Sequence, residues 1–478
     1  MNQTKHMAGS FGSQLLSMSS ATVLNIIALF IEMIVAIRVM DEASYGRYIF
    51  VITISNFIIM VVDLGFKTAV TQLIASSGNE RQKQVVFATL VVRLSLMVAL
   101  SILLLVGGGL FAKWSSFKTI ALFLPFIVLI FSTTSLDELF NSVLQGYQFF
   151  HQLSFVIILK SLLRLGLSFV LLLVFNMGIH ALFYSWIISA IVSILVQFWI
   201  IPKLKFGKIR FALIGEIVRF GFPLYLSRVM WFVTNRINIV ILNKNLGAAS
   251  IAFYEVGNRI PTALQRLSEA FVRVYFPKMT QHLFSEEHEE ADNLFNNFTR
   301  LISFIVGLGV LTTCLFSREI TTLLFSSKYL DSHTVLISLM LAFHVGLISQ
   351  IIGYTLTSAG YPKLSLIENV LRAIFIVVLN LILIPRYGFN GAAIAMLIAN
   401  LLSNPVCLIL LKRIDMSIFR SKYWIHVMIL AVLVTSNQIL SFNFFMRALL
   451  ILVFVVLNFI FSIIRLDEIK TYWKRYQR

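Results

Sequence analysis

Apolar runs long enough to cross about 30 Å of hydrocarbon at about 1.5 Å per residue recur along the whole chain. About fourteen can be counted, near 15–37, 48–75, 85–111, 119–143, 153–175, 179–201, 217–242, 251–276, 300–325, 334–358, 364–385, 389–411, 424–441 and 444–465. With 59% hydrophobic and 13% charged residues, and a mean hydropathy of +0.90, the chain is not an ordinary soluble globule. It reads as an all-α polytopic membrane protein. The first run lacks a small-residue cleavage site before Glu32, so it is expected to remain as a helix.

One run is costly to insert. Residues 251–276, IAFYEVGNRIPTALQRLSEAFVRVYF, are long enough to span yet hold Glu255, Arg259, Arg266, Glu269 and Arg273. At about 100° per residue all five project from one narrow stripe. Each such charge costs roughly 2.5–3.5 kcal/mol at the centre of a lipid-facing helix, so other helices must shield the stripe. The alternative is an amphipathic helix lying on the membrane surface.

The formal net charge of +18 would suggest nucleic acid in a soluble protein, but here its position carries the meaning. Basic residues concentrate in alternate gaps, densest at Lys203, Lys205, Lys208 and Arg210, at Lys412, Arg413, Arg420 and Lys422, and at Lys470, Lys474, Arg475 and Arg478. The positive-inside rule then makes both termini cytoplasmic, and no nucleic-acid partner is expected. The gaps around 203–210 and 412–422 must share a side, which needs an even number of crossings between them. Without 251–276 there are five, so parity favours a true span.

Other charges fall inside the runs. Glu32 lies in the first, Asp63 and Lys67 lie four apart in the second within DLGFKTAV, Arg93 lies in the third, and the fourth ends near Asp137 and Glu138. Asp63 and Lys67 either pair across one turn or face a lumen. Lys160 and Arg164 share a face of the fifth run without a local acid, so they need an anion or an acid from another helix, unless one snorkels to the surface. The seventh run holds Pro223, expected to kink or open it, followed by Arg228 and Arg236. In the eleventh, Glu368 and Arg372 are spaced as an ion pair.

Cys314 and Cys407 read as small core residues, and the acidic SEEHEEAD (285–292) as a solvated surface. No histidine arrangement suggests a metal or a catalytic constellation, so no cofactor, metal site or catalytic residue is expected. The last two spans carry few polar residues and look like an accessory pair.

Three weak self-matches share nearly one offset. Gly146 and Tyr147 of SVLQGY align with Gly360 and Tyr361 at 214, Gly178 aligns with Gly388 at 210, and Tyr45 aligns with Tyr254 at 209. An offset of six crossings makes the halves parallel repeats. The expected organisation is an N-terminal lobe, 1–210, a C-terminal lobe, 211–411, each of six helices, and 412–478 as two further helices with a basic cytoplasmic tail.

ASYGRYIFVITISNFIIMVVDLGFKTAV, RFGFPLYLSR and NLGAASIAFYEVGNRI together resemble the Wzx-type polysaccharide (O-antigen and capsule) flippases of the multidrug/oligosaccharidyl-lipid/polysaccharide exporter superfamily. The resemblance covers essentially the whole chain through diffuse patterns. It implies two six-helix lobes plus two helices and a V-shaped cationic cavity. It further implies alternating access that turns an undecaprenyl-pyrophosphate-linked oligosaccharide across the bacterial inner membrane, among membrane lipids and beside a polysaccharide polymerase and a chain-length regulator.

A lipid-linked sugar needs a wet, basic path for its head group while its tail stays in lipid, and arginine suits phosphate as a permanent, forked cation. The expected cationic lining is Arg228, Arg236, Arg259, Arg266 and Arg273 with Lys67, Lys160 and Arg164. Glu32, Asp63, Glu255, Glu269 and Glu368 are expected as ion-pair or coupling acids, and the residues leave open whether a proton or sodium gradient drives transport. Rival readings are an ion-coupled exporter of small cations, which would want an acidic cavity, a peptidoglycan-precursor flippase, and a glycan-processing membrane enzyme, which would need a large outer loop or buried catalytic groups.

Overall fold

The computed structural model describes residues 2–114, 120–201, 211–416, 418 and 421–461; the basic stretches 202–210 and 462–478 lie outside the described residues. Every regular element among those described is helical: α1 Asn2–Val39, α2 Glu42–Asp63, α3 Phe66–Ala75, α4 Asn79–Trp114, α5 Ile120–Gly146, α6 Phe150–Phe169, α7 Ile179–Ile200, α8 Phe211–Leu246, α9 Ala248–Phe284, α10 His288–Leu315, α11 Ser317–Phe325, α12 Ser332–Ser358, α13 Pro362–Leu411, α14 Tyr423–Leu440 and α15 Phe444–Ile460. Ten of these are long and apolar enough to cross a membrane. The protein is a multi-pass membrane protein. The charges on α8 and α9 keep them out of that set, α15 is a residue short of it, and α13 is two helices merged across a kink at Gly388.

Local chemistry sets the breaks. Asp41 starts α2 by accepting the Ser44 N–H at 2.9 Å, and two consecutive left-handed residues, Leu64 and Gly65, end it. Gly178 (φ 55°, ψ −132°) opens α7, and Gly388 (φ 63°, ψ −144°) kinks α13. Both glycines occupy a backbone region that side chains strongly disfavour.

Hydrogen bonding from Ser44, opposed by partial burial, holds Asp41 below the usual carboxylate value. Its cap therefore stabilises the protein fully above about pH 3.9, and the contribution is lost as pH falls through the lower folded-state value. Asp41→Ala is expected to cost about 1 kcal/mol at neutral pH. Thermal unfolding of the detergent-solubilised protein should show that gap and its closure in acid; a gap independent of pH would contradict the cap.

The chain divides into two compact units, Met1–Ala252 and Phe253–Arg478, with the boundary just inside α9. In the first, α5 packs against α2, α3, α4 and α7, α1 lies along α6, and α8 joins through α2 and α3. Helix α8 thus packs with the first unit, whereas the repeat places the boundary at 210/211. In lipid there is little hydrophobic drive between helices, so small and polar residues hold them together. Ser185, Ser189, Ser193 and Gln197, four apart on α7, form one fully buried polar stripe.

In the second unit α12 packs against α13 and α10, and α10 also carries α14 and α15. Asn400 and Asn404 of α13 donate to the Ala342 and Val345 carbonyls, and Ser349 donates to Asn404 Oδ1. The accessory pair is tied in by more polar contacts than its composition suggests. The Tyr423 hydroxyl donates to the His344 carbonyl at 2.8 Å, His426 Nδ1 meets Asn458 Oδ1 at 2.6 Å, and Arg447 pairs with Glu319 at 2.5 Å. Cys314 and Cys407 are free, buried thiols, as expected for core residues.

Candidate functional site

Embedded charges of the first unit gather in three clusters built by different helices. In one, Arg164 of α6 pairs with Glu32 of α1 at 2.9 Å, donates to the Tyr48 hydroxyl at 3.2 Å, and lies 4.0 Å from the Trp186 ring centroid. Ser168 donates to Glu32 at 2.7 Å, and the Trp186 indole N–H is held by Thr134. In the second, Asp137 of α5 receives Lys160 Nζ at 2.7 Å, Ser193 Oγ at 2.5 Å and Gln197 Nε2 at 2.8 Å. The two like charges of α6 are thus neutralised by acids from other helices, the requirement their spacing imposed.

The third cluster surrounds the break between α2 and α3. Asp63, buried at the last position of α2, pairs with Arg93 of α4 at 3.2 Å and with Arg228 of α8. It also accepts the Lys67 backbone N–H at 3.3 Å, so it caps the N-terminus of α3. Of the two readings of Asp63 and Lys67, side-chain pairing across one turn is not what forms. The break turns Lys67 away, and its ammonium lies 4.0 Å from Glu138 of α5. Two carboxylates thus face three bases.

The approach of α8 to this break depends on glycine at both points. A Cβ on Gly65, whose φ is +81°, would collide with the Gly221 backbone. Helix α8 is assigned from Phe211 to Leu246, and Pro223, where a kink or an opening is expected, lies outside the described side chains. Arg236 is half-buried further along α8.

In the second unit, α9 runs beside α12. Gly257 meets Val335 and Ser332, and eighteen residues on, the Tyr275 hydroxyl meets Thr355 Oγ1 at 2.6 Å. At about 1.5 Å per residue this contact extends about 27 Å, close to the hydrocarbon thickness. Along the stripe, Arg259 pairs with Glu255 at 3.3 Å, Glu269 is half-buried, and the Arg273 side chain lies outside the described residues. Arg266 is exposed and makes no ion pair among the described residues. Among the acids on other helices, Glu32 pairs with Arg164 and Glu368 with Arg372 at 3.6 Å.

Sequence reasoning named Arg93, Asp137 and Glu138 without placing them in a site. The signal for Asp137 was the four-residue spacing of Ser185, Ser189, Ser193 and Gln197, a buried polar face that requires a partner. His282, by contrast, pairs with Glu287 at 2.6 Å on the exposed acidic turn.

Comparison with known proteins agrees with this architecture. The chain superposes on the lipid II flippase MurJ in an inward closed conformation with a TM-score of 0.71, covering 96% of this chain and 99% of that one at 16% identity, a likeness of fold. It is 20% identical to the capsular polysaccharide biosynthesis protein CapF of Staphylococcus aureus, covering 79% of this chain and 93% of CapF. It is 23% identical to a Haloferax volcanii protein named "Probable low-salt glycan biosynthesis flippase Agl15" over 54% of each chain, so that match spans about half of the relative. Residues 12–283, more than half the chain and including all three clusters with Arg259 and Arg266, match one family along their length, and the chain belongs to that family, the polysaccharide biosynthesis proteins.

Proposed function

We propose that the protein is a flippase that moves an undecaprenyl-pyrophosphate-linked oligosaccharide from the cytoplasmic to the outer face of the bacterial inner membrane. It acts by alternating access across fourteen spans with both termini cytoplasmic. Splitting α13 at Gly388 and counting α8, α9 and α15 with the ten apolar spans supports that number. Polysaccharide polymerase and chain-length regulator are its partners in the same pathway, and the repeat assigns 1–210 and 211–411 to two lobes.

The observation that carries the reading is the exposed Arg266, without an ion pair among the described residues, on a helix packed along a membrane span. A cation at that position is stabilised by water and by an anionic substrate. A pyrophosphate supplies that anion, and a forked guanidinium binds it better than a point charge does. Arg228, half-exposed on α8, is its counterpart in the first unit. Export of small cations fits less well, because Glu32, Asp63, Asp137, Glu255 and Glu368 each carry a basic partner.

The test is inversion in proteoliposomes. A labelled undecaprenyl-pyrophosphate oligosaccharide placed in the inner leaflet should become accessible to an external glycosidase faster than in protein-free vesicles. Equal rates with and without protein, or uptake of cationic dyes in place of the glycan, would overturn the reading.

A further inference from the structure

Asp63 holds two arginines that differ in what they can do next. Arg93 is fully buried and fixed between α4 and the helix break. The Arg228 side chain is 41% exposed and reaches Asp63 from α8. If Arg228 swung away, Asp63 would keep Arg93 at 3.2 Å and the Lys67 N–H at 3.3 Å. The carboxylate would not be left bare, so releasing Arg228 avoids the penalty that stranding a buried charge incurs. Of the two arginines on Asp63, Arg228 is therefore the one that can exchange partners cheaply.

The cluster also has capacity to spare. Its bases outnumber its acids, and the Arg93 guanidinium, although ion-paired, has no aligned hydrogen-bond acceptor among the described residues. The cluster sits where the membrane helix is interrupted, with the N-terminus of α3 turned toward the carboxylate. Interrupted helices commonly bring backbone donors to anions in transport proteins.

We propose that Asp63 is a resident counter-anion that masks Arg228 in the unloaded protein and yields it to the pyrophosphate of the substrate, taking it back when the substrate leaves. The proposal rests on the flippase reading and adds the regulation of its anion site. Asp63 is a positioning residue: it sets when Arg228 is available without touching the substrate itself. Substrate binding and release become an exchange of one anion for another at one guanidinium, so Arg228 keeps an anionic partner through the cycle.

The experiment measures binding of inorganic pyrophosphate to the purified full-length protein in nanodiscs. Asp63→Asn should bind it about tenfold more tightly than wild type while exporting glycan more slowly, because Arg228 is no longer recaptured. A purely structural carboxylate would lower both. Arg228→Gln should weaken binding, and Asp63→Asn should have no further effect in that background. Should Asp63→Asn alone fail to fold, Asp63→Asn with Arg93→Met removes the stranded charge and carries the same expectation of tighter binding. Unchanged or weaker binding in the Asp63 variant, or an equal gain with Arg228 already removed, overturns the masking proposal while leaving the flippase reading to the vesicle assay. Absence of pyrophosphate binding in every variant overturns the masking proposal as well.

Discussion

Arg266→Ala abolishes glycan export while the protein inserts and accumulates normally: this is the expected result in a strain deleted for its polysaccharide flippase. Arg266 makes no ion pair among the described residues and is exposed, so its removal breaks no contact that supports the fold. Exposed substitutions of this kind usually change stability by less than about 0.5 kcal/mol. Loss of a charge-assisted contact to a substrate phosphate costs about 1.5–3 kcal/mol, or at least about tenfold in affinity. Arg266→Lys should restore part of the export, since an ammonium keeps the charge but loses the fork. Surface glycan scored against membrane abundance by immunoblot decides it. Wild-type glycan from the alanine variant would show that Arg266 carries no substrate.

Arg164→Met has the opposite signature, with stability lost first and export only in consequence. It strands Glu32, which is 4% exposed and among the described residues retains only Ser168 as a donor, and it removes the guanidinium from the Trp186 face. Breaking one side of a buried ion pair costs about 3–5 kcal/mol, and a desolvated cation–π contact adds up to about 2 kcal/mol. The expected readout is reduced membrane abundance and an unfolding midpoint lowered by several degrees in detergent. Adding Glu32→Leu removes the stranded carboxylate and should recover most of the stability. If the single and double variants are equally unstable, the pair is not what Arg164 contributes. Failed export from a double variant of normal stability would instead place Arg164 on the substrate path.

The contrast between these two arginines marks how far the sequence reaches. Length and hydropathy alone determined the helical, membrane-spanning class, because about 30 Å of hydrocarbon needs about twenty apolar residues and a fully bonded backbone. The i,i+4 pairs Glu255 with Arg259 and Glu368 with Arg372 were legible for the same local reason, the geometry of one helix. So was the demand of Lys160 and Arg164 for acids from elsewhere, though not which acids answered it. Asp63 shows where local geometry fails. Spacing offered Lys67 as its partner, but two left-handed residues at Leu64 and Gly65 end the helix between them. That rotation sends Lys67 to Glu138 and opens Asp63 to Arg93 and Arg228, from 30 and 165 residues away. The sequence determined how many charges had to be buried and that they required partners. Only the packing of separate helices decided which were neutralised within the fold and which, such as Arg266, stayed available, because pairing between helices depends on close backbone approach such as that of Gly65 to Gly221 and leaves no period in the chain.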